Sequence, residues 1–148
     1  MKKEKYWVAR MTLDALDACI AENRLGANDK NLGRLKKLSD GDKGFFYVST
    51  RELYKDHLAV SAFMYRFQIE GDVESISIDV PTLPIDKAML YSVRISVFET
   101  GSIGIHDVKN KLQFIRRPEY WGSYLMQSFI EISAADYKVL SECLGVKV

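Results

Sequence analysis

Between Leu90 and Val97 the chain alternates with a period of two: Tyr91, Val93, Ile95 and Val97 share one side of an extended segment, opposite Ser92, Arg94 and Ser96. Such a strand buries one face and wets the other. Tyr6 to Arg10, Phe45 to Val48, Leu58 to Ile69 and Val73 to Ile78 also read as strands, and Leu112 to Ile115 is strand-like. Turns are marked by Ser39-Asp40-Gly41-Asp42, by Glu70-Gly71-Asp72 and by the Gly101-Ser102-Ile103-Gly104 run. Thr12 predicts the N-cap of a helix with Leu13, Leu16 and Ile20 on one face, ended by Asn23 and Gly26. Leu32, Leu35 and Leu38 fit one short helical turn. Pro118 opens a short helix through Trp121 to Leu125, and Ser133 with Asp136 caps a last one carrying Tyr137, Leu140 and Leu144, stopped by Gly145. Several strands with short helices and no βαβ alternation predict an α+β domain, a mostly antiparallel β-barrel with helices packed around it.

No linker interrupts residues 1–148, so one domain is expected, and 47% hydrophobic with 28% charged residues supplies a core without disulfides or metal. The 21 basic and 20 acidic residues leave a net charge of +1, so any nucleic-acid binding has to come from local patches. Cys19 and Cys143 fall at helical positions and read as reduced thiols. The start MKKEKYWVAR lacks the apolar run of a signal peptide, and no apolar stretch is long enough to span a membrane, so a soluble cytoplasmic protein is expected. His57 and His106 are isolated, the Gly101–Gly104 run lacks the lysine and hydroxyl of a phosphate loop, and no base stands beside a nucleophile. Neither metal, cofactor nor catalysis is expected.

Trp7, Tyr47 and Trp121 sit at strand ends or a helix start, positions from which rings can line a mouth and stack on a base. The alternative for each ring singly is ordinary core packing. Lys36 and Lys37 in the first third, and Arg116 and Arg117 between Phe114-Ile115 and Trp121, are candidates to hold phosphates, or else solvated charges.

In this order, Tyr6-Trp7, Gly26, Leu35, Gly41-Asp42, Phe46-Tyr47, Tyr91-Ser92-Val93-Arg94, Leu112-Gln113-Phe114-Ile115, Trp121 and Asp136-Tyr137 resemble the EVE-domain family of the PUA-like superfamily, related to the YTH readers of methylated RNA. The resemblance implies a PUA-like β-barrel whose pocket accepts a modified base, of the methylated cytosine or adenine type, from RNA or DNA. Carried over, it implies a base pocket of Trp7, Leu25, Gly26, Tyr47, Ser49, Thr50, Phe114 and Trp121, with Arg94, Arg116, Arg117, Lys36 and Lys37 on phosphate. Leu25 stands where many family members have tryptophan, which makes that wall aliphatic. Two rival functions remain open at this point. Related ASCH domains include amidohydrolases that use lysine, threonine and glutamate, types present here as Lys43, Thr50 and Glu52, and the same groove also suits a protein-binding adaptor.

Overall fold

In the computed structural model, which describes residues 4–146, six strands form one curled, mixed half-barrel sheet. They are β1 (Tyr6–Met11), β2 (Arg24–Ala27), β3 (Lys43–Thr50), β4 (Ala59–Ile69), β5 (Tyr91–Gly104) and β6 (Phe129–Ile132), in the order β2-β5-β4-β3-β1-β6. Residues 1–3 and 147–148 of the expected domain lie outside the described ones. Four neighbouring pairs are antiparallel. The exception lies inside the sheet, next to its β6 edge: β1 and β3 run parallel, Val8 opposite Phe45 and Met11 opposite Val48. Parallel neighbours need a crossover, and the segment from Thr12 to Asp42 supplies it with α1 (Leu13–Glu22), β2 and α2 (Leu32–Leu35). The sequence reading found no such unit, because β2 is only four residues long and its Gly26 reads as a helix stop.

Alternation along the strands splits the core in two. Trp7, Ala9, Phe46, Val48 and Phe67 face α1, which contributes Ala15, Leu16 and Cys19. Val8, Phe45, Tyr47 and Phe63 face the other way, under α3 (Ile105–Val108), Leu125 beside α4 (Trp121–Tyr124), and Leu140 of α5 (Ala134–Cys143). Thr12 flanks α1 as expected, although its hydroxyl bonds to Asp14 rather than to a backbone amide, and Asn23 ends the helix in the left-handed region at φ 52°. Ser133 Oγ accepts from the Asp136 backbone N–H at 3.1 Å, and Gly145 turns the chain at φ 75°. Two bulges bend β4 against β3, with Ser61 at φ 49° and Tyr65 at φ 56°; an extra residue on one strand increases local twist, which helps the sheet curl.

Gly44 marks the tightest point of the parallel pair. A Cβ there would lie 2.3 Å from the Trp7 carbonyl oxygen and 2.6 Å from the Phe67 ring.

Three expectations need correction. Val73 to Ile78 forms no strand; it is a strap that touches the sheet through single bridges, Glu74 to Ser92 and Ile78 to Met89. That strap covers part of the polar side of β5: Ser92 is buried, accepts from Arg24 Nε at 2.7 Å and donates to the Ile76 carbonyl at 2.7 Å, while Arg24 pairs with Glu74 at 2.6 Å. Gly101–Gly104 is not a turn but the end of β5, running directly into α3. Leu112 to Ile115 is a turn with two buried apolar anchors, not a strand, and the edge strand β6 was not foreseen.

Candidate functional site

The C-terminal ends of β1 and β3 open into a cavity of about 660 Å³, within the range usual for ligand sites. Arg10 and Met11 enter it from β1, and Tyr47, Ser49 and Thr50 from β3. The far end of β2 supplies Gly26 and Ala27, and the entrance to β6 supplies Ser128 and Phe129, so the two edges of the curled sheet both reach the same cavity. Trp121 and Met126 line it too, as do Leu83, Lys87 and Met89 from the segment between the strap and β5.

Local chemistry sets this arrangement. Ser61, at the left-handed bulge of β4, lines the cavity near the Tyr47 phenol. Burial pushes the Tyr47 phenol above its ordinary value, while the Ser61 hydroxyl and the positive charge of Arg10 pull it back. A neutral phenol both donates and accepts. Trp121 starts α4 directly after the Pro118–Tyr120 turn; its ring is half-buried, with His106 edge-on at 5.6 Å between centroids. The segment leading to it is tied down by Asp136, 1% exposed, whose carboxylate accepts from the backbone N–H groups of Gln113 at 2.7 Å and Phe114 at 3.0 Å.

Of the residues expected to form the pocket, Tyr47, Ser49, Thr50, Gly26 and Trp121 line this cavity. Trp7, Leu25 and Phe114 do not. Trp7 is at the opposite end of β1, beside Gly44, on the sheet face away from Tyr47, and its indole N–H donates to Asp42 Oδ2 at 3.0 Å. Side chains alternate across a strand, and four residues separate Trp7 from Met11 by about 13 Å. Leu25 is fully buried in the α1-side core, so Gly26 and Ala27 form that wall instead. Phe114 packs, half-buried, against the other core. Gly26 suits its place because a Cβ would meet Met89 Sδ at 2.6 Å and Ile78 Cδ1 at 2.9 Å.

Arg116 and Arg117 are exposed in the bend just before the Pro118 turn that carries Trp121, and Lys36 and Lys37 are exposed after α2, beyond the cavity residue Asn31. Arg94 is exposed but shares a different depression with Asp40, Glu70 and Asp72, a setting that disfavours phosphate. Lys43 and Thr50 stand at opposite ends of β3, about 23 Å apart at strand spacing. Lys43 pairs with Glu4 at 3.2 Å, and Thr50 Oγ1 donates to the Glu52 backbone carbonyl at 2.7 Å, so the amidohydrolase trio does not converge. Among the described residues no group of three potential metal ligands occurs, and no helix is long and apolar enough to cross a membrane.

The cavity also holds residues that the sequence did not flag: Arg10, Asn28, Asn31, Ser61 and Lys87. Arg10 ends the first strand and was within reach of a strand-end argument. Nothing local marks Lys87, which arrives with the segment between the strap and β5.

No protein-family model matches the chain. It is 27% identical to the UPF0310 protein YdcG of Bacillus subtilis over 114 residues, 77% of this chain and 74% of that protein. A UPF0310 protein of Pyrococcus abyssi is 24% identical over 147 residues, covering 94% of this chain and 99% of that one. Among solved structures, the YTH domain of the Zygosaccharomyces rouxii MRB1 protein, in complex with N6-methyladenosine RNA, superposes with a TM-score of 0.65 at 11% identity, over 100% of this chain and 90% of that chain. The chain has a YTH-like fold. Within it, the parallel β1–β3 pair and the bulged β4 place the cavity at the open end of the half-barrel.

Proposed function

We propose that this protein is a reader of modified bases in RNA, an EVE-type relative of the YTH domains that binds without catalysis in the cytoplasm. The observation that carries the reading is the meeting of Trp121, Tyr47 and Ser49 around one cavity in a YTH-like fold. A single unpaired nucleotide enters the open end, stacks its base on Trp121 and turns its polar edge to the hydroxyls of Tyr47, Ser49 and Ser61. DNA is read in the same way where a base is extruded from the stack. Arg116 and Arg117 hold phosphates on the flank that carries Trp121, and Lys36 and Lys37 extend the basic surface beyond Asn31. The related solved structure bound to N6-methyladenosine RNA supports a methylated base as the ligand class.

Stacking contributes about 1–3 kcal/mol per base, and enclosing one methyl group adds about 0.8 kcal/mol. The test is fluorescence anisotropy on single-stranded RNA carrying N6-methyladenosine or 5-methylcytidine against the unmodified sequence. Trp121→Ala is expected to weaken the preferred RNA by about 1–3 kcal/mol with little change in salt slope. Arg116→Ala is expected to weaken modified and unmodified RNA alike and to reduce the salt slope by about 0.7. Equal affinity of wild type and Trp121→Ala for every oligonucleotide refutes the stacking site, and turnover of a modified nucleoside by the wild type refutes the non-enzymatic assignment.

A further inference from the structure

Among the described residues two cationic side chains line the cavity, Arg10 and Lys87, and no carboxylate does, in a chain with 20 acidic residues. Neither cation enters an ion pair among the described residues, where the pairs are Arg24 with Glu74 and Lys43 with Glu4. Both are half-buried. The remaining polar side chains that line it are neutral, among them the hydroxyls of Tyr47, Ser49 and Ser61 and the amides of Asn28 and Asn31. The described lining therefore holds two positive charges and no negative one, against partly apolar walls where a ligand's charge is felt more strongly than in water.

A guanidinium offers only donors and an ammonium offers only donors. A neutral base meets them with carbonyl oxygens and unsubstituted ring nitrogens. A base methylated on a ring nitrogen so that it becomes cationic, such as N1-methyladenine or N3-methylcytosine, loses an acceptor and brings a like charge where no anion waits. Recognition of such a cation calls for a carboxylate or an open aromatic cage; no carboxylate is found among the described lining residues, and the rings there, Tyr47, Tyr54, Trp121 and Phe129, share the space with two cations.

Resting on the reader assignment above, we infer that the cavity is a charge filter: it takes neutral modified bases by their acceptor edges, refuses cationic ones, and owes this preference to Arg10 and Lys87. The filter sorts methylation products by chemical class rather than by the mere presence of a methyl group.

Isomer pairs in one RNA sequence test it, at fixed salt and neutral pH: N6-methyladenosine against N1-methyladenosine, and 5-methylcytidine against N3-methylcytidine. Each neutral isomer is expected to bind at least about tenfold tighter than its cationic partner. Ring methylation also adds bulk at the base edge, so the charge effect is isolated by Arg10→Gln, which keeps an amide donor and removes the charge. That variant is expected to shrink both ratios by about threefold or more, with Lys87→Gln acting in the same direction and thermal melts confirming the fold of each. A cationic isomer that binds wild type as tightly as its neutral partner overturns the inference, as do ratios unmoved in both variants. If no modified base exceeds its unmodified parent, the reader assignment falls, while the isomer ratio still decides the charge filter. Absence of binding to every oligonucleotide removes both.

Discussion

Asp136 connects the stability of the fold to the geometry of the candidate site, and Asp136→Asn tests that connection. Its buried carboxylate holds two backbone donors, Gln113 N–H at 2.7 Å and Phe114 N–H at 3.0 Å, at the start of the segment that leads through Arg116 and Arg117 to Trp121. Asparagine keeps one oxygen and turns an NH2 group toward the other amide, donor against donor. Hydrogen bonds to a charged acceptor contribute about 1.5–3 kcal/mol each, so one is lost outright and the other weakened. The carboxylate also sits in the first turn of α5, where a negative charge adds about 0.3–1 kcal/mol. The expected loss is about 2–5 kcal/mol, a large fraction of a total stability of about 5–15 kcal/mol. Urea unfolding followed by tryptophan fluorescence measures it, with a lower midpoint at unchanged slope. RNA affinity, corrected for the folded fraction, is expected to fall as well, because Trp121 and Arg116 lose their tether. Ser133→Ala is the control: it removes the cap on the Asp136 N–H and the exposed bond that Ser133 Oγ donates to Gln113 Oε1 at 3.1 Å but leaves the Asp136 carboxylate on both amides, costs about 0.5–2 kcal/mol, and leaves affinity in place. A loss under about 0.5 kcal/mol for Asp136→Asn, or equal affinity losses in the two variants, refutes the tether.

Gly44→Ala is expected to lower stability by at least about 2 kcal/mol in a thermal or urea melt, since the new methyl collides with the Trp7 carbonyl and the Phe67 ring. Gly33→Ala, in α2 with open space around it, is expected to be neutral or stabilising. Trp7→Phe removes the donor to Asp42 and is expected to cost about 1.5–3 kcal/mol without changing RNA affinity; an affinity loss in folded protein returns Trp7 to the site. Burial pushes the Cys19 thiol from its ordinary 9.0 to about 11. Its pKa is raised on folding, so its contribution is complete below pH 9 and is lost as pH rises toward 11. The stability gap between wild type and Cys19→Ala is therefore expected to shrink by about 2–3 kcal/mol over that window; a gap constant from pH 8 to 11 refutes it.

Elements with their own local code were legible in the sequence. The alternation of β5 holds, with Val93 and Ile95 buried and Arg94 exposed, and the Thr12, Ser133, Pro118 and Gly145 signals each mark a real helix boundary. The leucines of α2 follow suit: Leu35 and Leu38 are buried. The failures share a cause. β2 and β6 are four residues each, too short for a period to declare itself, and they extend only because β5 and β1 pair with them. Conversely, Val73 to Ile78 and Leu112 to Ile115 carry strand-like residues but lack a neighbour to complete a ladder, so their apolar side chains anchor irregular segments instead.

The candidate site divides along the same line. Tyr47, Ser49 and Trp121 were identifiable because a ring or hydroxyl at an element's end points to a mouth, and that much is written in spacing alone. Which end of which strand forms the mouth is not. Trp7 and Tyr47 both read as strand-end rings in the sequence, yet the parallel pairing of β1 with β3 sets Trp7 beside Gly44 and Tyr47 beside Arg10, at different levels and on different faces. Lys87 and Asn31 join Arg10 only after the sheet has curled and the strap has crossed it. Sequence by itself therefore determined the class of fold, most helix boundaries and the aromatic character of the site. The tertiary structure decided which aromatics meet, and that Arg10 and Lys87 line the same cavity, because register, crossover and curl are properties of pairings between distant segments that no local pattern contains.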